Sequence, residues 1–305
     1  MPADLAAIIA PGFFSSSSVQ LALVVGALVA IVTGTVGVFT VIRGQSFAGE
    51  ALGDIGASGG SSAYLVGIAP LWGFVGISVA AAAVMELIGI QRARGRDLAT
   101  GIVLGAGFGL AALFLYLGTI SSSTTGATVR ILFGSIFELD TSTLPLVAVL
   151  GAIALGMILV IYRPLLLVSV SPELGAARRL PVRLIGSLYL LAMALAVALS
   201  AVTIGAILST ALLIGPAAIA LRITKRVGWA MVAACVTGVV AILLGVLLAY
   251  DSYYWSSSHA SWPVSFFIVV VIFLGYLVTE LPWVRAITTQ RDATEASPDL
   301  TDVGR

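Results

Sequence analysis

Apolar residues along this chain come in long runs, and charged residues are confined to the gaps between them. Stretches free of Asp, Glu, Lys and Arg cover 5–42, 55–85, 98–129, 141–162, 184–221, 227–250 and 252–279. A helix crosses a bilayer core with about 20 residues, so each run holds at least one crossing. As one helix, residues 184–221 would measure about 57 Å against a core of about 30 Å, so that run folds back near Ser200–Gly205. Residues 55–85 divide at Gly67-Ile-Ala-Pro70, because proline begins helices and disfavours helical geometry in the residue before it. The pattern predicts an all-α, polytopic transmembrane helical bundle of about nine spans. They fall at 19–43, 46–67, 70–90, 98–120, 143–162, 183–201, 204–223, 228–250 and 263–281.

Basic residues set the expected orientation. Alternating nine spans puts 14 of the 15 Lys and Arg residues on one side, with Arg130 alone on the other. Lysine and arginine collect on the cytoplasmic side, so the N-terminus is expected outside and the C-terminus inside. Losing one helix would scatter the arginines over both faces. The outer segments Ser15–Ser18, Ser121–Gly126 and Asp251–Trp262 are hydroxyl-rich and aromatic, as suits a membrane interface. The start, MPADLAAIIAPGFF, lacks the basic region of a signal peptide and reads as a retained interfacial helix. The membrane domain is expected over 1–285, and residues 286–305 form a polar cytoplasmic tail without enough apolar surface to fold.

Composition agrees with this reading. Hydrophobic residues make up 60% of the 305, where soluble domains have about 45–50%. Charged residues make up only 10%, and the mean hydropathy is +1.14. That leaves too little polarity to coat a soluble enzyme. A net charge of +1 with one lysine offers no face for nucleic acid. The single cysteine, Cys235, lies in an apolar run, so disulfides do not organise the chain.

Chemistry concentrates in Ser46–Gly60, SFAGEALGDIGASGG. Glu50 and Asp54 are four residues apart, hence neighbours on one helix face. Counting from Arg43, Asp54 lies about 16 Å deep, near mid-bilayer, with Glu50 one turn closer to the cytoplasm. Carboxylates at that depth are costly and face a cavity or a partner. Apart from Arg43, Arg183 and Arg222 at span ends, no Lys, Arg or His lies within a predicted span, so the simplest counter-charge is a transported cation or proton. In the alternative, both acids are protonated or bond Ser58 and backbone groups. The glycines of the segment allow either close helix packing or local unwinding.

The largest inner loop, 163–183, contains a second signal. Ser171 reads as an N-cap, Pro172 as the first helical residue, Glu173 and Leu174 as the first turn, and Arg178 and Arg179 as the last. Pro181 ends this short helix, which either docks a partner or lies on lipid. The span 205–222 has an internal Gly-Pro that marks a hinge or a packing kink. No nucleotide-binding GxxxxGK[ST] occurs, and no HExxH or Cys/His cluster. His259 is the only histidine and falls in an outer loop. Intramembrane catalysis has no visible support, so the residues favour a transporter over an enzyme.

Three blocks carry a family resemblance. GVFTVIRGQSFAGEALGDIGASGG is similar to the "GVFVVLRRMAFLG" and "DALSHA" segments of the manganese/zinc/iron chelate permeases of bacterial ABC importers. SPELGAARRLPVR resembles their "DPELARALGLPV", and TIGAILSTALLIGPAAIALRI resembles "VVGALLVSALLIIPAATA". The blocks keep the same order and reach from Val36 to Ile223. The resemblance implies a multi-pass permease of the bacterial plasma membrane. Its partners would be a second permease copy or paralogue, two cytoplasmic ATPases and an extracytoplasmic metal-binding protein. It also makes Ser171–Arg179 the coupling helix that contacts the ATPase, and places Glu50 and Asp54 at the Asp and His positions of "DALSH", which face the metal path. Two carboxylates without imidazole suit Mn²⁺ or Fe²⁺ better than Zn²⁺. A path that must release its cargo binds weakly, so ligand softness alone does not fix the metal. The competing readings are a cation- or proton-coupled secondary transporter using the same acids as a relay, and a siderophore or cobalamin permease of related design.

Overall fold

Apolar runs bounded by glycine, proline and charge leave the backbone no polar solvent, and a helix satisfies its hydrogen bonds internally. The computed structural model describes residue 13 and residues 16–88, 93–122, 126–134, 136–255 and 262–281. Every regular element among them is helical. In chain order these are α1 (Ser17–Ile42), α2 (Ser46–Leu65), α3 (Pro70–Ile88), α4 (Ala93–Ser122), α5 (Gly126–Phe133) and α6 (Thr143–Val170). There follow α7 (Pro172–Ala177), α8 (Val182–Ile204), α9 (Ala206–Ile223), α10 (Val227–Trp255) and α11 (Val264–Glu280). A 3₁₀ turn at Ile136–Glu138 separates α5 from α6.

Seven of these, α1, α3, α4, α6, α8, α9 and α10, are long and apolar enough to cross a bilayer. The 17-residue α11 is apolar but shorter. Helix α2 is long enough, but its glycines and serines dilute its apolarity. It packs against α3, α4, α8 and α9. Helix α8 is the most buried of the candidate spans, with Tyr189, Met193 and Leu199 all fully buried. The helix ends are tied by ion pairs, Glu86 with Arg183 at 3.6 Å and Arg222 with Glu280.

The glycines of α2 serve packing, and the helix is continuous through all of them. Gly59 lies against Gly73 of α3 so closely that a Cβ on either would strike the other's carbonyl. Gly53 faces Ser209 of α9, and Gly107 of α4 rests on the Ile55 backbone. Such contacts between small residues let helix backbones approach where side chains would hold them apart.

The breaks expected at Gly67–Pro70 and near Ser200–Gly205 are present. Helix α3 begins at Pro70, and Gly205 sits between α8 and α9 with φ 92°, a region open to glycine and strained for other residues. Three expectations need correction. Helix α6 does not stop at 162 but runs on through Pro164 to Val170. Leu165 and Val168 fall on its buried face, and that packing outweighs the one backbone bond that proline removes. Helix α10 likewise continues past 250, burying Asp251 and Ser252. The Ser252 hydroxyl accepts the Trp262 amide at 2.9 Å. Third, the segment around Arg130, expected to be a plain outer loop, forms α5, which packs against α2, α8 and α9. Gly134, just after α5, meets Gly205 backbone to backbone, with no room for a Cβ on either side. Apart from Phe13, the proposed N-terminal interfacial helix lies outside the described residues, as do His259 and the 286–305 tail.

Candidate metal path and coupling surface

Helix α2 starts from a tight turn at the end of α1. The α1 C-cap is Arg43, Gly44 takes φ 61°, and Gln45 opens α2. From there α2 runs unbroken past Glu50 and Asp54. The two acids are one turn apart, but their surroundings differ. Glu50 is exposed on the single chain, whereas Asp54 is 8% exposed. One carboxylate oxygen of Asp54, Oδ2, is buried with no hydrogen-bond partner among the described residues.

The nearby hydroxyls are already committed to the backbone. Ser58 donates to the Ile55 carbonyl at 2.6 Å, and Ser61 to that of Ala57 at 2.6 Å. Ser78 of α3 donates to the Leu52 carbonyl at 3.1 Å, and Ser209 of α9 to that of Ala206 at 2.8 Å. Ser58 therefore is not the donor that the sequence offered as a local partner for the acids. A buried acceptor left unpaired costs about 1–3 kcal/mol, and more when charged. Such an oxygen can be satisfied by a proton, a water or a cation. Among the described residues, no group of three or more His, Cys, Asp and Glu side chains gathers where an ion could be caged. The pair alone can offer two to four oxygens, a loose binding set suited to passage.

Directly after α6 the short helix α7 forms as its residues predict. Ser171 is the N-cap, and its hydroxyl accepts the Leu174 amide at 3.3 Å. Pro172 takes the first helical position and Glu173 lies in the first turn. The far end is shorter than expected. The helix stops at Ala177, Arg178 is the C-cap, and Arg179 turns the chain with φ 57°. Glu173, Leu174, Arg178 and Arg179 are all exposed, with Leu174 at 56%. A solvent-facing leucine flanked by an acid and two arginines has the mixed character of a docking surface.

A set of polar residues at this end carried no sequence signal. Arg43 stacks over the Tyr189 ring at 5.0 Å and reaches Ser169 in the last turn of α6 at 3.4 Å. Single serines, threonines and tyrosines inside apolar spans have no spacing to betray them, and their partners are distant in sequence.

The ABC 3 transport family model matches residues 15–280. The chain belongs to the ABC 3 transport family. Over 239 residues it is 30% identical to the manganese transport system membrane protein MntC of Halalkalibacterium halodurans, covering 78% of this chain and 81% of that one. The manganese import system permease protein ScaB of Streptococcus parasanguinis is 28% identical over 232 residues, covering 76% and 81%. Among solved structures, PsaBC from Streptococcus pneumoniae in complex with Fab matches with a TM-score of 0.74 at 25% identity. That match covers 89% of this chain and 94% of that chain. The chain is thus a metal ABC-transporter permease, a multi-pass protein of a bacterial membrane.

Proposed function

We propose that this permease is the membrane-spanning subunit of an ATP-driven importer of divalent transition-metal ions, with manganese ahead of iron and zinc. Metal arrives from an extracytoplasmic binding protein and passes Glu50 and Asp54. Two cytoplasmic ATPases drive the cycle through Ser171–Arg179, and a second permease, a copy or a paralogue, completes the membrane unit. ATP hydrolysis belongs to the ATPase subunits, not to this chain.

The carrying observation is the unpartnered Asp54 Oδ2, buried in the helix that also holds Glu50. Two like charges in a low-dielectric path repel, and a passing dication relieves that repulsion. The manganese names of MntC and ScaB support the choice of metal. The exposed Glu50 supports the paired permease, since a carboxylate at that depth would not face lipid.

The test is uptake of Mn²⁺, Fe²⁺ and Zn²⁺ in cells with and without the gene, and in cells whose associated ATPase cannot hydrolyse ATP. Loss of Mn²⁺ uptake in both deficient strains is expected. Uptake that persists without ATP hydrolysis and follows the proton gradient would turn the reading to a secondary transporter.

A further inference from the structure

The polar cluster around Arg43 joins the two parts of the molecule that the proposed cycle must connect. Its guanidinium sits between the C-terminal ends of α1 and α6, where helix dipoles favour positive charge. Nη1 donates to Ser169 Oγ at 3.4 Å, and Nε donates to Gln45 Oε1 at 3.4 Å. Its plane covers the ring of Tyr189, which is fully buried in α8. The Tyr189 hydroxyl in turn donates to Thr40 Oγ1 at 2.8 Å, on the last turn of α1.

On the α6 side, the contact lies directly beside the coupling surface. Ser169 is two residues before the α7 N-cap. Of the α7 residues with described exposure, only Gly175 is buried, and its Cα faces Val168, next to Ser169. A push on α7 therefore falls on the last turn of α6. On the α2 side the connection has no slack. Gln45 N–H donates to the Thr40 carbonyl at 2.9 Å, and Gly44 N–H donates to that of Val41 at 3.1 Å. This paired arrangement locks the α1–α2 turn. Gln45 is buried at 3% exposure, and its carbonyl accepts the Gly49 amide, the residue before Glu50.

We infer that Arg43 is a positioning residue that transmits displacement of α7, through Ser169, to the start of α2 and so to Glu50 and Asp54. This rests on the docking role proposed above for Ser171–Arg179. Arg43 touches neither metal nor ATPase in this scheme. Its fork holds Ser169 and Gln45 at once, a geometry that a lysine point charge does not reproduce.

The test uses the whole transporter in lipid nanodiscs with its ATPases, and follows amide hydrogen exchange with and without a non-hydrolysable ATP analogue. In the parent, exchange in residues 172–177 and in 46–54 should both respond to nucleotide. In Arg43→Ala and in Ser169→Ala, 172–177 should still respond while 46–54 should respond weakly or not at all. In sealed proteoliposomes, Mn²⁺ taken up per ATP hydrolysed should fall about two- to thirty-fold, the range that mutations along coupling routes span. Ser169→Ala removes only a hydroxyl and serves if the arginine variant does not assemble. Unchanged behaviour of 46–54 in the variants, or a silent 46–54 in the parent, overturns the Arg43 route alone. A parent in which 172–177 does not respond overturns the docking role and the route together.

Discussion

At the scale of single residues, the decisive contrast is between two acids one turn apart. Their presence was readable, because charge inside an apolar run is rare and four-residue spacing puts both on one side of a helix. Their difference was not, because burial of Asp54 and exposure of Glu50 depend on which helices surround α2. Arg43 was similarly legible only as an inner-side cation, since its contact Ser169 lies 126 residues away. Replacing Asp54 with Asn or Glu50 with Gln keeps shape and removes one formal charge. Each should lower Mn²⁺ uptake about tenfold or more with expression intact, and the double variant should add little, as expected of two ligands in one site. Asp54→His should shift preference toward Zn²⁺, because imidazole is the softer ligand. Competition uptake assays read both effects, and normal uptake by the double variant would remove the pair from the metal path.

Among the elements, most long helices and the capped helix α7 follow the sequence pattern, whereas α5 and the extensions of α6 and α10 do not. Length and apolarity set α1, α3, α8 and α9 within a few residues. The end of α6 was missed because Arg163-Pro164 looks like a stop, whereas Leu165 and Val168 bury well enough to carry the helix onward. Helix α5 was missed because eight residues make only about two turns, too short to stand out beside the long apolar runs. The choice between packing and unwinding for the α2 glycines needed the neighbouring helix, which supplies Gly73 opposite Gly59. Gly59→Ala should therefore destabilise the permease by about 1–3 kcal/mol, the usual cost of overpacking. Gly76→Ala, on α3 but facing open space, should stay within about 1 kcal/mol of the parent. Thermal unfolding of the detergent-purified variants measures the difference. Equal melting temperatures would show that α2 and α3 can separate freely.

For the whole molecule, orientation follows from charge more than from packing. Fourteen basic residues against one predict an outer N-terminus, whichever side chains meet in the core. In a Cys235→Ser background, a cysteine at Thr141, before α6, should react with an impermeant maleimide on intact cells. One at Lys225, between α9 and α10, should react only after permeabilisation. The reverse labelling would invert the topology and place α7 outside, away from any ATPase.

The meeting of Gly134 with Gly205 constrains how this sequence can change over time. When a new side chain collides with another side chain, a second substitution can trim the obstacle and restore the fit. At this seam the atoms facing each missing Cβ are peptide groups, at Thr203–Gly205 on one side and Leu132–Gly134 on the other. Every amino acid carries the same peptide group, so no replacement at the neighbouring positions makes room. The two glycines are therefore a pair that admits no compensating mutation, and a lineage that loses one must rebuild the backbone path around it.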